Sequence, residues 1–193
     1  MATYTTLAAQ IAAELTQTLT AVREESVESL VRGLREASRI FLAGAGRAGW
    51  IMRTFAVRLT HLSLAVHVVG DATTPAIGPG DLLVIGSGSG ETTSLVGHAT
   101  AARRYGAKIA LITTAPGSSV GRQADVIVHI PAPTPKAMLP YTVGPVEPPR
   151  SIQPMANLFE QALLIVLDII TMRLMEEMRA DPAQMFARHA NLE

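Results

Sequence analysis

Apolar positions along the chain change their period, and each change marks an element. Leu7, Ile11, Leu15, Leu19 and Val22 recur at helical spacing, as do Val27, Leu30, Val31 and Leu34, so two helices are predicted first. Short apolar runs then alternate with helical stretches. Ile40–Ala43 predicts a strand and Arg47–Leu62 a helix, followed by strands at Ala65–Val69 and Leu82–Ile85. A helix over Glu91–Tyr105, a strand over Lys108–Thr113, a short helix near Val120 and a strand over Asp125–Ile130 complete the alternation. The strands are apolar at successive rather than alternate positions, as strands covered on both faces are, so a parallel α/β sheet in three layers is expected.

Residues Pro131–Pro149 hold seven prolines and predict an irregular connection rather than a helix. A long helix from about Ile152 to Met178 and a shorter one near the C-terminus follow. The expected organisation is one domain over 1–193. It comprises N-terminal helices over 1–37, a parallel core over 38–131, a Pro-rich loop over 131–150 and C-terminal helices over 151–193.

Composition narrows the function. The chain has 193 residues, 16 basic and 16 acidic, with no basic block, which argues against nucleic acid as a partner. Hydrophobic residues make up 48% and charged ones 17%, more apolar surface than one small domain hides, so self-association is expected. Cysteine is absent, which removes disulfides, thiolate zinc sites and a cysteine nucleophile. Neither a signal-peptide pattern nor a run long enough to span a bilayer stands in the sequence, so no membrane partner is expected and the cytoplasm is the expected location.

Two glycine-rich loops fall at predicted strand ends, where ligands bind in such sheets. Gly44-Ala45-Gly46-Arg47-Ala48-Gly49 fits G-x-G-x-x-G, a weak pattern for a dinucleotide site. The second loop, Ser87-Gly88-Ser89-Gly90-Glu91-Thr92, points elsewhere. Its three hydroxyls, exposed backbone N–H groups and the positive end of a following helix suit a phosphate dianion. It lacks the lysine of a nucleoside-triphosphate loop, so a small phosphorylated metabolite fits better. Helix capping by Ser89 or Gly90 is the structural alternative. The five histidines show no metal spacing, so no metal and no cofactor are expected.

Together these motifs resemble the 6-phospho-3-hexuloisomerases, a family of sugar isomerase (SIS) domain proteins. The resemblance runs through Gly44–Arg47, Arg58–Leu62, Val68–Asp71 with Thr73–Pro75, Gly86–Thr93, Phe159-Glu160 and the tail Arg188–Glu193. It implies a flavodoxin-like five-stranded parallel sheet, a homotetramer, and interconversion of D-arabino-3-hexulose 6-phosphate with fructose 6-phosphate in the ribulose monophosphate pathway of formaldehyde fixation. The catalytic residues it implies are Glu160 and His61. Gly46, Arg47, Ala48, Ser87, Gly88, Ser89, Gly90, Glu91 and Thr92 would contact the substrate, and His189 would come from a neighbouring subunit. Two departures stand out: Ala48 replaces a usual Ser, and Ala156-Asn157 replaces a usual Gly-Thr or Gly-Ser.

Moving a ketone from C3 to C2 takes a proton from C2 and returns one to C3 through an enediolate, which one base on one side of the sugar can do. Hydrogen-bond donors can carry the enediolate oxygens without a metal. Glu160 is the candidate base because it interrupts an apolar run; a solvated ion pair is its ordinary alternative. His61 would serve as acid or oxygen polariser, against an ordinary helix C-terminal histidine. Three other readings remain: an isomerase of another phosphosugar, a non-catalytic sugar-phosphate sensor and, last, a dinucleotide-binding fold.

Overall fold

The computed structural model describes residues 1–133 and 151–191. The Pro-rich connection expected over 131–150 thus lies outside them from residue 134 onward, as do residues 192–193.

Five strands form one parallel sheet in the order β2-β1-β3-β4-β5. They are β1 (Ile40–Gly44), β2 (Val66–Val68), β3 (Leu82–Gly86), β4 (Lys108–Thr113) and β5 (Val126–His129). Register is continuous across the centre, where Leu42 lies opposite both Val68 and Val84. Residues alternate between two apolar layers. Ile40, Leu42, Leu82, Val84, Ala110 and Ile112 enter one core; Phe41, Ala43, Leu83, Ile85, Ile109 and Leu111 enter the other. Both faces of the three central strands are covered, which is why β1, β3 and β4 read as unbroken apolar runs.

The first core lies under α2 (Glu24–Glu36), α3 (Gly46–His61) and α5 (Asn157–Glu177), and the second under α4 (Thr93–Arg104). A 3-10 turn over Gly121–Gln123 precedes β5, and α6 (Pro182–Ala187) follows α5. The remaining helix, α1 (Tyr4–Thr20), packs on α5 but buries only Thr18 fully. Among the described residues no helix is long and apolar enough to cross a membrane.

Two helices start later than the sequence predicts. α4 begins at Thr93 rather than Glu91, because Gly90 adopts φ +62° and the Glu91 N–H is taken by Ser89 Oγ. α5 begins at Asn157 rather than Ile152. The Ile152 N–H is claimed by Glu14 of α1, and the Gln153 N–H by Ser151 Oγ. Pro154 supplies no N–H, and Met155 takes φ +37°.

The order 2-1-3-4-5 reverses direction between β1 and β3, so the crevice at their carboxyl ends is the expected ligand position. Both glycine-rich loops leave the sheet there.

Candidate active site

A cavity of about 100 Å³ opens at that crevice. Ala45 and Ala48 from the first loop line it, with Gly86, Ser87, Gly88, Ser89 and Thr92 from the second. Leu95 of α4 and Ala156, Phe159 and Glu160 at the start of α5 close the wall.

Hydrogen bonds to the neighbouring strand end hold the second loop. Ser87 N–H donates to the Ile112 carbonyl at 3.0 Å, and Thr114 N–H to the Gly88 carbonyl at 3.1 Å. That carbonyl also accepts from the Thr113 and Thr114 hydroxyls at 3.0 and 2.8 Å. Val120 N–H donates to Gly90 O. Gly90 has positive φ, and a Cβ there would lie 2.0 Å from Ser118 Oγ, so glycine is required twice over.

The capping alternative fails in detail. The residue capping α4 is Thr92, not Ser89 or Gly90, and its side chain makes no capping bond. Ser87 Oγ accepts from Gly90 N–H at 3.1 Å and Ser89 Oγ from Glu91 N–H at 3.2 Å. A hydroxyl that accepts still carries a proton to donate. At the cavity the first turn of α4 adds N–H groups without intrahelical partners. Together they make a cradle of hydrogen-bond donors around the cavity.

Glu160 faces this cradle from α5, with a side chain 14% exposed. Its carboxylate does not stand alone. Arg47 Nη1 lies 3.1 Å from Glu160 Oε2 and also donates to Asn157 Oδ1. The ordinary reading of an ion-paired glutamate is therefore correct for contact but not for setting, because the pair sits on the rim of a phosphate-sized cavity.

Relatives share this arrangement of chain. Residues 33–146 match the SIS domain. The 3-hexulose-6-phosphate isomerase of Bacillus subtilis (strain 168) is 40% identical over 186 residues, covering 96% of each chain. The protein of the same name from Mycobacterium gastri is 40% identical over 180 residues, 93% of this chain and 86% of its own. The chain belongs to the 6-phospho-3-hexuloisomerase family of SIS-domain proteins. A crystal structure from Methanococcus jannaschii, for which a 3-hexulose-6-phosphate isomerase function was inferred, matches with TM-score 0.80 at 29% identity. That match covers 97% of this chain and 99% of the other.

Not every residue singled out from the sequence converges on the cavity. Ala48, Ser87, Gly88, Ser89, Thr92 and Glu160 line it. Gly46, at φ +57°, opens α3 just outside the wall. Gly90 and Glu91 support the loop from behind, with the Glu91 carboxylate accepting from Ser119 N–H at 2.7 Å. Arg47 meets Glu160 rather than the Ser87–Thr92 turn.

His61 lies elsewhere. Arg47 and His61 occupy opposite ends of α3, about 21 Å apart at 1.5 Å per residue. The buried His61 ring sits against that of exposed His189 of the same chain, centroids 5.4 Å apart. Burial, then the neighbouring His189 and Arg58 charges, push the His61 imidazole below its ordinary range. The tail is tied there too, since Arg188 donates to the His61 carbonyl at 2.9 Å.

The remaining histidines stay away from the cavity. His67 packs its ring on Phe41 at 5.3 Å in β2, and His129 ends edge strand β5 exposed. Half-buried His98 has an Nδ1 without a hydrogen-bond partner in α4. Among the described residues no group of three His, Asp or Glu is placed to hold a metal.

Sequence reasoning passed over Phe159 as a wall residue. Its ring comes within 3.3 Å of where a Gly88 Cβ would sit, so the glycine is what admits the ring against the loop. The Phe159-Glu160 pair carries that signal in the sequence.

Proposed function

We propose that the chain interconverts D-arabino-3-hexulose 6-phosphate and fructose 6-phosphate. The observation that carries the reading is the shared cavity, in which the Ser87–Thr92 cradle and the Glu160 carboxylate face the same small volume. The phosphate ester would accept hydrogen bonds from Ser87, Ser89, Thr92 and the first N–H groups of α4. That fixes one end of an open-chain ketose and brings C2 and C3 toward Glu160. Glu160 takes the C2 proton as the C2–H bonding pair becomes the second bond between C2 and C3 and the C3 carbonyl pair moves onto O3, to which the C2 hydroxyl passes its proton. Collapse in the other sense places the proton held by Glu160 on C3 and leaves the carbonyl at C2. Atoms and charge balance with no outside reagent.

Arg47 is the donor at hand for the enediolate oxygens, so the reading is metal-independent. Relatives named 3-hexulose-6-phosphate isomerase support this ketose pair over an aldose–ketose one.

The cavity of about 100 Å³ falls below the roughly 300–1,000 Å³ of ordinary small-molecule pockets. A second subunit would supply the missing walls, and the adjacent His61 and His189 would enter a neighbour's site together. Exposed Trp50, Val57, Leu164, Ile169 and Met172 support a tetramer built on these faces. A phosphorylated metabolite as substrate favours the cytoplasm.

The test is a coupled assay for fructose 6-phosphate formed from the 3-hexulose 6-phosphate. Turnover supports the reading; a folded chain that binds the sugar phosphate without converting it favours a sensor instead.

A further inference from the structure

One contact on the cavity rim has no part in the reading above. Asn157, the first residue of α5, accepts through Oδ1 a hydrogen bond from Arg47 Nη1, the nitrogen that also lies 3.1 Å from Glu160 Oε2. Asn157 and Glu160 are three residues apart and share one face of α5. Arg47 reaches them from the second position of α3, so a single guanidinium nitrogen joins the two helix beginnings.

The partners are unequally held. The Arg47 side chain is 64% exposed and that of Glu160 is 14% exposed. An arginine this exposed is poorly fixed by an ion pair alone, because the attraction is screened and the long side chain loses rotamer freedom. A second acceptor changes this. Nη1 carries two protons, and one given to Asn157 leaves the other aimed at the carboxylate. An amide oxygen suits the task because it adds no charge to compete with Glu160 for the cation or to repel a phosphate.

We propose that Asn157 is a positioning residue: it fixes the Arg47 guanidinium, which in turn orients the Glu160 carboxylate beside the phosphate cradle. The inference rests on Glu160 as the proton shuttle described above. Carbon-proton transfer depends steeply on alignment of donor, proton and acceptor, so a loosened carboxylate should slow turnover more than it weakens binding.

The test combines kinetics on the intact chain with a readout independent of turnover. Asn157→Ala should lower kcat about 5–20-fold with KM for fructose 6-phosphate within about twofold. In an Arg47→Ala background the same change should have no further effect on kcat. Asn157→Asp keeps the acceptor, so it should hold kcat within about threefold while its added charge raises KM. Arginine side-chain NMR reads the contact directly. Arg47 should give separate, slowly exchanging Nη signals in wild type and Asn157→Asp, and averaged ones in Asn157→Ala.

An equal loss of kcat from Asn157→Ala with and without Arg47 overturns the proposal, as do Arg47 signals unchanged by Asn157→Ala. A wild-type chain without isomerase activity sinks the reading of the preceding section instead, and the Arg47 signals then still decide whether the hold exists.

Discussion

The two glycine-rich loops leave neighbouring strands at the same edge of the sheet, yet they spend their glycines differently. In the first, Gly44 and Gly49 let strand and helix touch: a Cβ on Gly49 would meet the Gly44 carbonyl at 2.8 Å. In the second, Gly90 supports a positive-φ turn and Gly88 admits Phe159, which leaves hydroxyls and N–H groups facing a cavity. One loop is about packing and delivers a single long side chain, Arg47. The other is about displaying donors. A G-x-G-x-x-G match alone does not separate these uses; what lies on the far side of each glycine does.

The largest effect that probes the contrast is on the acid both loops face. Glu160→Gln should reduce kcat by about 10²–10⁴-fold, the usual worth of general acid–base catalysis, with phosphosugar binding retained in calorimetry. Loss of binding in a folded variant would show that the carboxylate holds substrate rather than moving protons.

Glycine substitutions separate the loops next. Gly49→Ala should cost about 1–3 kcal/mol of stability through overpacking, read in denaturant melts, and leave KM of the surviving fold nearly unchanged. Gly90→Ala should do the reverse in emphasis, with a KM rise that exceeds its loss of stability, because it distorts the donor turn itself. Equal profiles for the two would remove the distinction drawn here.

Smaller still are single donors. Thr92→Val and Ser89→Ala should each weaken phosphosugar binding by about 1–3 kcal/mol, with little change in kcat. Dialysis against EDTA should leave turnover unaltered if the site works without a metal.

Acid stability provides a control at the opposite end of the sheet. Burial alone would push the Asp81 carboxyl up, but the Arg39 guanidinium and the Gly78 N–H hold it below the ordinary value. A folded carboxyl held down stabilises fully above its unfolded value of 3.8 and loses that contribution as pH falls through the folded value. Unfolding free energy should therefore drop below about pH 4 in wild type and be flatter there in Asp81→Asn, with neither loop involved.

Much of the fold was legible because strands buried on both faces have few alternatives. The three central strands follow from apolar runs at Ile40, Leu82 and Lys108 onward, and the half-buried edge strands β2 and β5 from the alternation with helices. Helix starts were less so. Nothing near Ile152 announces that its N–H is held by a carboxylate 138 positions earlier. The turn at Ser87–Thr92 was readable because its Ser87–Gly90 and Ser89–Glu91 bonds are local, although Ile112, Thr113 and Thr114 hold it from the next strand. The Arg47–Asn157–Glu160 contact was not, because it joins segments 110 residues apart and each residue has an ordinary surface role when read alone. The place of His61 at the end of α3 was legible in the helix predicted over Arg47–Leu62, but its role rested on likeness, and no local rule brings His189 beside it.

Glu14 has a wider consequence. Its carboxylate accepts from Ser151 Oγ at 2.8 Å, Ile152 N–H at 2.9 Å and Gln153 Nε2 at 3.0 Å. The first helix thereby acts as the mooring for the stretch that ushers in the acid. Trimming the chain to begin at α2 would spare the sheet and the layer under α4, strip Leu15 and Leu19 from the margin of the other layer, and set that mooring adrift. A shortened protein would then lose turnover out of proportion to its loss of stability, a warning to anyone who judges a minimal version by its melting alone.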